Sequence, residues 1–374
     1  MNRQKVFIGT GWLLYLQQIL TETKSKKPML VCGKHVLQQK ELLDFVNNSP
    51  CRFTIFTDFL PNPQYSSAIG AASDLQKQQC DFILAVGGGS AIDVAKCARR
   101  FSGMELTKDC LLQIPQNNTI KMAAIPTTAG SGSEATHFAV LYKDSQKYSV
   151  SGDDILPDYA VLNPEFLEGL PLYQKKSGFL DALCQAVESW WSLNANEESI
   201  AYSQKAITLL LNNYQNYFSL HKKDTGCSCA KETYKDILLG AHYAGKAINI
   251  TTTTAAHAMS YGITKKFGLA HGHAVALCMV QVWQDLLEQT DQGLVQCLND
   301  INQVFGGAEK EDALEKFKFM LNEMKLATPQ NVSKDDLRQL AETVNVQRLG
   351  NHPVYLDNSK LYRMYEDIFQ REEA

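Results

Sequence analysis

Five side chains of types that bind metal ions lie in two stretches of the second half of the sequence. Asp181 and Gln185 are four residues apart in a helical pattern, so both project from one face of the predicted helix. Downstream come His257, His271 and His273, three of the eight histidines of the chain. Carboxylate, amide oxygen and imidazole are all metal ligands. Spacing alone leaves open that these histidines are satisfied core residues.

Two glycine-rich turns in the first half suit a phosphate-containing ligand. The run GGGS at 87–90 follows an apolar strand and opens a helix, where backbone N–H groups can approach and face an anion. The run PTTAGSGSE at 126–134 also follows a strand and offers many hydroxyls. Each run alone could be an ordinary polar turn. Together, at neighbouring strand ends, they predict a dinucleotide across the sheet edge.

The elements around these turns alternate between strand and helix. Apolar runs predict strands at 28–33, 52–56, 81–86 and 121–125, with helices at 66–79 and 91–100. Such alternation predicts a parallel sheet covered by helices on both faces. From about residue 175 only helical patterns follow, at 178–193, 198–217, 230–247 and 273–288. We therefore expect an α/β domain at 1–176 and an all-α domain at 177–374.

Bulk composition excludes several classes of protein. The chain has 374 residues and a net charge of -4, so a nucleic-acid-binding surface is not expected. The sequence has neither a signal peptide pattern nor an apolar run long enough to span a bilayer. Ten cysteines are scattered, and the close pair Cys227 and Cys229 lacks a second pair at zinc-site spacing. These features predict free thiols and a cytoplasmic protein without a membrane or nucleic-acid partner.

Five motifs in this order resemble the iron-containing alcohol dehydrogenase family. They are GGGSAIDVAK at 87–96, PTTAGSGSE at 126–134, GFLDALCQAVE at 178–188, HAMSYG at 257–262 and HGH at 271–273. The resemblance covers nearly the whole chain. It implies an N-terminal nucleotide-binding α/β domain, a C-terminal helical domain and an active site in the cleft between them. It also implies an NAD(P)-dependent enzyme that interconverts alcohols and aldehydes, and at least a homodimer.

The resemblance assigns the family's metal aspartate to Asp181 and two of its metal histidines to His257 and His271. The family's fourth ligand, a histidine, is replaced by Gln185. Amide oxygen is a weaker ligand than imidazole for first-row metals. Gln185 therefore either ligates weakly or turns away and leaves the position to water, and Fe²⁺ or Zn²⁺ would act as a Lewis acid towards the aldehyde. A degenerate, non-catalytic site is a third reading.

By analogy, Tyr261 and His273 are the candidates for delivering the proton. Tyr261 stands where the family commonly has a histidine. The candidate cofactor-binding residues are Gly33, Gly87, Gly88, Gly89, Ser90, Asp93, Thr127, Thr128, Ser131, Ser133 and Lys147. Many family members have an acidic residue after the first strand, where this chain has Gly33. NAD(H) is favoured, but NADP(H) stays possible.

A branch of the family that reduces sulfoacetaldehyde or phosphonoacetaldehyde is the most similar. This chain resembles it at Gln185, at 244–254 and at 344–353. A tetrahedral anion needs hydrogen-bond donors and positive charge, which Lys246, Asn249, Thr253 and Arg348 could supply. The alternatives are surface solvation for the two cations and a helix interior for the threonine run.

Four other functions remain open from the sequence. A general short-chain alcohol dehydrogenase would have the same motifs. Glycerol dehydrogenase and dehydroquinate synthase share the fold, although the motifs follow the iron-containing enzymes more closely. A non-catalytic nucleotide-binding relative would keep the turns and lose the metal.

Overall fold

The structure, a computed structural model, describes residues 4–116, 118–144, 146–220 and 228–369. Contacts divide the chain into two compact units, Met1–Gly169 with Thr225–Leu238, and Leu170–Asp224 with Leu239–Ala374. The predicted boundary at 176/177 separates domains that would fold independently. The two contact units do not test it, and it stays a prediction. Cys227, one member of the close cysteine pair, lies outside the described residues, and no disulfide is found within them.

The first unit contains a six-stranded, fully parallel sheet with the order β1-β8-β5-β4-β2-β3. Its strands are β1 (Lys5–Ile8), β2 (Pro28–Cys32), β3 (Thr54–Phe56), β4 (Phe82–Gly87), β5 (Lys121–Pro126) and β8 (Tyr159–Leu162). Strands β6 (Phe138–Lys143) and β7 (Gln146–Ser151) form a separate antiparallel pair. The parallel sheet confirms the predicted α/β class.

Helices cover both faces of this sheet, because each inner strand is apolar on both sides. The helices of the first unit are α1 (Trp12–Thr23), α2 (Lys34–Leu37), α3 (Lys40–Asn48), α4 (Tyr65–Gln78) and α5 (Gly89–Phe101). In β2, Leu30 packs with α1 on one face, and Met29 and Val31 pack with α4 and α5 on the other. Burial on both faces is typical of parallel sheets.

The four strands predicted from apolar runs are all present. Strands β1 and β8 and the β6–β7 pair were not among the elements predicted from the sequence. Strand β1 has only four residues and lies at the sheet edge, where Val6 and Ile8 are exposed. Its sequence therefore has no buried run to reveal it. Strand β8 is a buried YAVL run that could have been recognised.

The second unit is helical, as predicted. Its helices are α6 (Leu172–Trp191), α7 (Glu197–Ser219), α9 (Ala255–Phe267), α10 (His271–Leu287), α11 (Gln292–Phe305), α12 (Asp312–Met324), α13 (Lys334–Glu342), α14 (Val346–Leu349) and α15 (Asn358–Phe369). Helix α8 (Ser228–Thr251) begins in the first unit and ends in the second. None of the described helices combines the length and the apolarity that a membrane span requires.

The threonine run at 251–254 is not a helix interior. Helix α8 ends at Thr251, Thr252 has a positive φ of 60°, and α9 begins at Ala255. Threonine is β-branched and rarely adopts this left-handed conformation, so other groups must hold it there. The break starts α9 two residues before His257 and so directs that histidine.

Candidate functional site

The two glycine turns of the first unit lie against each other. A Cβ atom on Gly89 would come 3.0 Å from Ser131 Oγ, and one on Gly88 would come 3.4 Å from Thr128 Oγ1. Thr127 N also donates to Gly87 O at 3.0 Å. Residues larger than glycine would therefore fill the space between the turns. Among the residues that were predicted to contact a dinucleotide, the structure brings together Gly87, Gly88, Gly89, Thr127, Thr128 and Ser131.

The turn after β4 lies beside the point where the strand order reverses, and the turn after β5 lies one strand further along the sheet. From β2 the chain moves outward to β3 and then returns to β4 on the other side of β2. Gly33 directly follows β2, and Gly87 ends β4. Open α/β sheets bind ligands at the carboxyl ends of strands beside such a reversal. Gly33 and the glycine run therefore both lie at positions that fit a nucleotide site.

A buried polar cluster holds the second turn onto α5. Ser133 Oγ donates to Asp93 Oδ1 at 2.6 Å, and Lys96 Nζ lies 3.1 Å from Ser133 Oγ. Burial raises the pKa of Asp93, and the charges of Lys96 and Lys147 oppose that rise. Burial also lowers the pKa of Lys96 to about 8. Lys96 was not among the predicted site residues, and Ser133 and Asp93 here support the turn.

The second unit brings the three predicted metal ligands together. Asp181 lies on α6, His257 on α9 and His271 at the start of α10. One ligand atom from each lies within 4.8 Å of the other two. Asp181 Oδ1 is 3.3 Å from His257 Nε2 and 3.9 Å from His271 Nε2. Asp181 and His257 are buried, whereas the His271 side chain is 38% exposed and marks the accessible side.

Gly272 lets α10 approach α6 this closely. A Cβ atom at this position would come 1.9 Å from Ser177 O and 2.7 Å from Asp181 N. No side chain fits there, so the backbone of α10 packs directly on the backbone of α6. This contact places His271, the preceding residue, beside Asp181. The HGH motif therefore contains a packing glycine as well as a ligand.

Gln185 lies one helical turn beyond Asp181 and is 4% exposed. Its Nε2 donates to Asp181 Oδ1 at 3.2 Å, the oxygen that also faces both histidines. A half-turn of the amide would bring Oε1 to the place that Nε2 occupies. The fourth position is therefore within reach of a neutral oxygen ligand. The geometry suits both readings of Gln185, weak ligation and withdrawal in favour of water.

Glu188 is a site residue to which the sequence analysis gave no role. It is fully buried, and its Oε2 hydrogen-bonds His257 Nδ1. Its Oε1 accepts from Thr254 Oγ1 at 2.7 Å and from Ala256 N at 2.8 Å. The carboxylate thus fixes the His257 ring with Nε2 towards Asp181. The signal was available, because Asp181, Gln185 and Glu188 are spaced by four and three residues on one helix face.

The charges of this cluster fit a divalent cation. Burial favours neutral carboxyls, but His271 and His257 outweigh it and hold the pKa of Asp181 below its usual value. Burial likewise opposes a charged His257, but Glu188 and Asp181 raise its pKa to about 10. The two carboxylates therefore need positive charge, which protonated imidazole supplies here. A divalent metal would supply that charge and leave His257 neutral, with Nε2 as the ligand atom.

Tyr261 and His273 lie near the metal-type cluster in different ways. The Tyr261 ring stacks on His271, with centroids 5.6 Å apart and planes 12° from parallel. His273 is 2% exposed, and its Nδ1 is 3.1 Å from the hydroxyl of Tyr173. That hydroxyl also accepts from Ala270 N, so Tyr173 connects His273 to the residue that precedes α10. Burial lowers the pKa of His273, which keeps the ring neutral.

The structure pairs two of the four candidate anion-binding residues. Arg348 Nη1 donates to Thr253 Oγ1 at 3.2 Å, four residues before His257. Lys246 instead lies over the ring of Tyr202, 4.5 Å from its centroid. Asn249 is half-buried near the end of α8. Thr253, which accepts from Arg348, precedes the predicted metal ligand His257 by four residues along the chain.

The family models match both halves of the chain. Residues 3–164 match the model described as iron-containing alcohol dehydrogenase. Residues 176–369 match the C-terminal model of the Fe-containing alcohol dehydrogenase family. The chain belongs to the iron-containing alcohol dehydrogenases. This dehydrogenase is accordingly an oxidoreductase that acts on alcohols and aldehydes, which confirms the predicted enzyme class.

The relatives of this chain act on substrates of different lengths, and two of them are named for short ones. Phosphonoacetaldehyde reductase of Streptomyces viridochromogenes is 31% identical over 329 residues, covering 82% of this chain and 81% of the relative. 4-Hydroxybutyrate dehydrogenase of Clostridium kluyveri is 32% identical over 250 residues, covering 65% and 64%. Among solved structures, sulfoacetaldehyde reductase from Bifidobacterium kashiwanohense, in complex with NAD+, superimposes with a TM-score of 0.87. It is 22% identical and covers 99% of this dehydrogenase and 98% of its own chain.

Replacing Glu188 tests its control over His257. In the Glu188→Gln variant, an amide lacks the charge that orients the imidazole and favours a cation beside it. We expect the affinity for Zn²⁺ or Fe²⁺ to fall by about 10–100-fold. Competition with a chelator measures this, with exposed Glu198→Gln on α7 as control. Unchanged metal affinity in Glu188→Gln would contradict the assignment.

The Gln185→His variant tests the weak fourth position. Imidazole binds first-row metals more strongly than an amide oxygen, so the affinity for Zn²⁺ should rise by at least about tenfold. The same chelator competition reads it out. The matched control is Gln174→His, also on α6 but exposed. A Gln185→His variant that binds no more tightly would show that the side chain at 185 does not reach the metal.

Proposed function

We propose that this dehydrogenase reduces a short anionic aldehyde, sulfoacetaldehyde or phosphonoacetaldehyde, to isethionate or 2-hydroxyethylphosphonate. The observation that carries the proposal is the Arg348–Thr253 pair, four residues from His257. A two-carbon substrate is short enough for its anionic group and its aldehyde to need recognition close together. The reductase from Streptomyces supports this branch at 31% identity.

The proposed metal ligands are Asp181, His257 and His271, with Gln185 or water in the fourth position. Three protein ligands and one weak or exchangeable position are typical of catalytic sites. The family description favours Fe²⁺, and Zn²⁺ suits the same ligands. When bound, the metal supplies Lewis-acid polarisation of the substrate carbonyl. Glu188 holds His257 so that the ligand atom is Nε2 and not Nδ1.

The proposed cofactor is NAD(H), with NADP(H) possible, and it supplies the hydride. Its pyrophosphate would lie at Gly87, Gly88, Gly89 and Ser90, where α5 begins. Thr127, Thr128 and Ser131 line the facing turn, while Asp93, Ser133 and Lys147 support that turn. The reversal of strand order beside Gly33 favours this position. The NAD+ complex of the Bifidobacterium reductase agrees with NAD(H).

His273 and Tyr261 are the proposed proton-handling residues. His273 Nδ1 lies 3.1 Å from the Tyr173 hydroxyl, and its Nε2 is buried and has no hydrogen-bond partner among the described residues. A neutral imidazole can relay a proton by taking one up at one ring nitrogen and releasing one from the other. Tyr261 stacks on His271 and orders the accessible side of the metal site.

Lys246 and Asn249 complete the proposed anion site at longer range. Lys246 Nζ lies over the Tyr202 ring, and its side chain would add positive potential near the end of α8. Domains at 1–176 and 177–374, a homodimer and a cytoplasmic location remain part of the proposal. The change from alternating strands and helices to helices alone supports the domain boundary. The family resemblance supports the homodimer.

A second candidate function is the oxidation of 4-hydroxybutyrate or reduction of its aldehyde. The 32% identical relative from Clostridium favours it, and a carboxylate would also bind Arg348. A general short-chain alcohol dehydrogenase would instead gain nothing from that cation. Both anionic candidates therefore predict faster turnover of an anionic substrate than of a neutral one, which a general alcohol dehydrogenase would not show.

Steady-state kinetics with NADH test the proposed substrate. We expect kcat/KM for sulfoacetaldehyde or phosphonoacetaldehyde to exceed that for propanal and for the aldehyde of 4-hydroxybutyrate. Arg348→Met should lower kcat/KM for the preferred anionic aldehyde by about 10–100-fold, because a charge-assisted hydrogen bond is lost. Propanal should be unaffected. Exposed Arg363→Met on α15 is the control.

Three outcomes would contradict the proposed function. Faster turnover of propanal than of every anionic aldehyde would identify a general alcohol dehydrogenase. Preference for the aldehyde of 4-hydroxybutyrate would favour the second candidate. Absence of NADH oxidation in metal-loaded protein would favour a non-catalytic relative.

The Gly33→Asp variant tests the cofactor assignment. A carboxylate after β2 would accept from the ribose 2′-hydroxyl and repel a 2′-phosphate. We expect the ratio of kcat/KM for NADH to that for NADPH to rise by about tenfold or more. Gly33→Asn, of equal size without charge, is the matched control. An unchanged ratio in Gly33→Asp would show that Gly33 does not face the ribose.

A further inference from the structure

The strained threonine between α8 and α9 needs a group that holds it. Thr252 has a φ of 60° and is followed at once by Thr253 and Thr254, which are nearly fully buried. A β-branched residue persists in this conformation only where its surroundings determine it. Strained backbone conformations of this kind occur most often at functional sites, where a side chain must be held in one direction.

Asn351 supplies the hold. It is 6% exposed, and its Nδ2 lies 2.6 Å from Thr251 O, 3.0 Å from Thr252 Oγ1 and 3.4 Å from Thr253 O. Its Oδ1 accepts from Ser192 Oγ at 2.8 Å, which sets the direction of the amide. One donor group therefore gathers both carbonyls that flank the strained residue. An aspartate of the same shape would face these carbonyls with negative charge.

The turn that Asn351 gathers aims two functional groups. On one side, Thr253 Oγ1 accepts from Arg348, and Asn351 N donates to Arg348 O at 3.3 Å. On the other side, Thr254 Oγ1 accepts from Trp191 Nε1 at 3.0 Å and donates to Glu188, the partner of His257. Asn351 thus connects Arg348, the proposed anion contact, to His257, the proposed metal ligand, through the turn at 252–254.

We propose that Asn351 is a positioning residue that determines specificity for the anionic group. It holds Thr252 in the left-handed conformation, so that Thr253 fixes the Arg348 guanidinium at a constant distance from His257. This inference rests on the proposed function, because the anion that Arg348 binds is part of that proposal. Asn351 itself acts through Thr252 and Thr253 and does not contact the substrate.

Kinetics separate this role from a merely structural one. In Asn351→Ser the shorter side chain cannot span Thr251 O and Thr253 O. We expect KM for the preferred anionic aldehyde to rise about tenfold or more. The kcat and all parameters for propanal should stay within about threefold of the parent protein, because Ala256 N and His257 Nδ1 still hold Glu188 when the turn loosens. Exposed Asn358→Ser on α15 is the matched control and should change nothing. Equal losses with the anionic aldehyde and propanal would overturn the proposal.

A second substitution should rescue the first. Glycine adopts positive φ without strain, so Thr252→Gly lessens the need for the Asn351 amide. We expect the double variant Asn351→Ser/Thr252→Gly to reverse most of the rise in KM for the anionic aldehyde that Asn351→Ser causes. No recovery would overturn the coupling. If Asn351→Ser does not fold, Ser192→Ala, which removes the hydroxyl that donates to Asn351 Oδ1 and so lets the amide turn, should show the same selectivity loss at smaller size, and an unselective loss would overturn the proposal.

Hydrogen exchange gives a readout that needs no substrate. The backbone amides at 253–257 should exchange about tenfold faster or more in Asn351→Ser than in the parent, while those of α15 stay unchanged. Unchanged exchange at 253–257 would overturn the positioning role. Parent protein that prefers propanal would refute the proposed function alone, since the exchange result still decides whether Asn351 holds the turn.

Discussion

The pairing of Glu188 with His257 is the interaction on which the candidate site depends. A fully buried carboxylate costs free energy unless charge and hydrogen bonds compensate it. Here one oxygen contacts the imidazole, and the other accepts from Thr254 Oγ1 and Ala256 N. The same carboxylate therefore orients a ligand, caps the start of α9 and fixes the turn before it. The position of α9 on α6 and the direction of His257 have a single cause.

Two further constraints follow from this pair. Asp181 adds a second buried carboxylate beside His257. The two carboxylates carry more negative charge than one proton on His257 neutralises, so the cluster favours binding of a cation. Gly272 lets α10 pack on the backbone of α6, which places His271 at the accessible side. Metal ligation and helix packing are therefore the same problem in this unit. A change in either alters the other.

The sequence was informative where chemistry and local pattern coincide. The glycine turns could be predicted because strand ends are local features, and the family resemblance grouped Asp181, His257 and His271, which the structure brings together. Their binding of a metal stays a prediction. The edge strand β1 could not, since its side chains are exposed and short-range pattern is weak there. Thr252 shows the same limit differently. Four threonines suit a helix as well as a break, and the decision comes from Asn351, distant in sequence.

Gln185 and Glu188 have complementary effects on a metal at this site. An amide oxygen donates less charge to a metal than imidazole does, so binding weakens while the metal stays a stronger Lewis acid. The buried charge of Glu188 works in the other direction, because hydrogen-bonding to His257 raises the basicity of that ligand. An anionic aldehyde adds its own negative charge, which a cationic Arg348 can offset at a distance. The replacement at 185 is thus compatible with catalysis when the rest of the helix face is read with it.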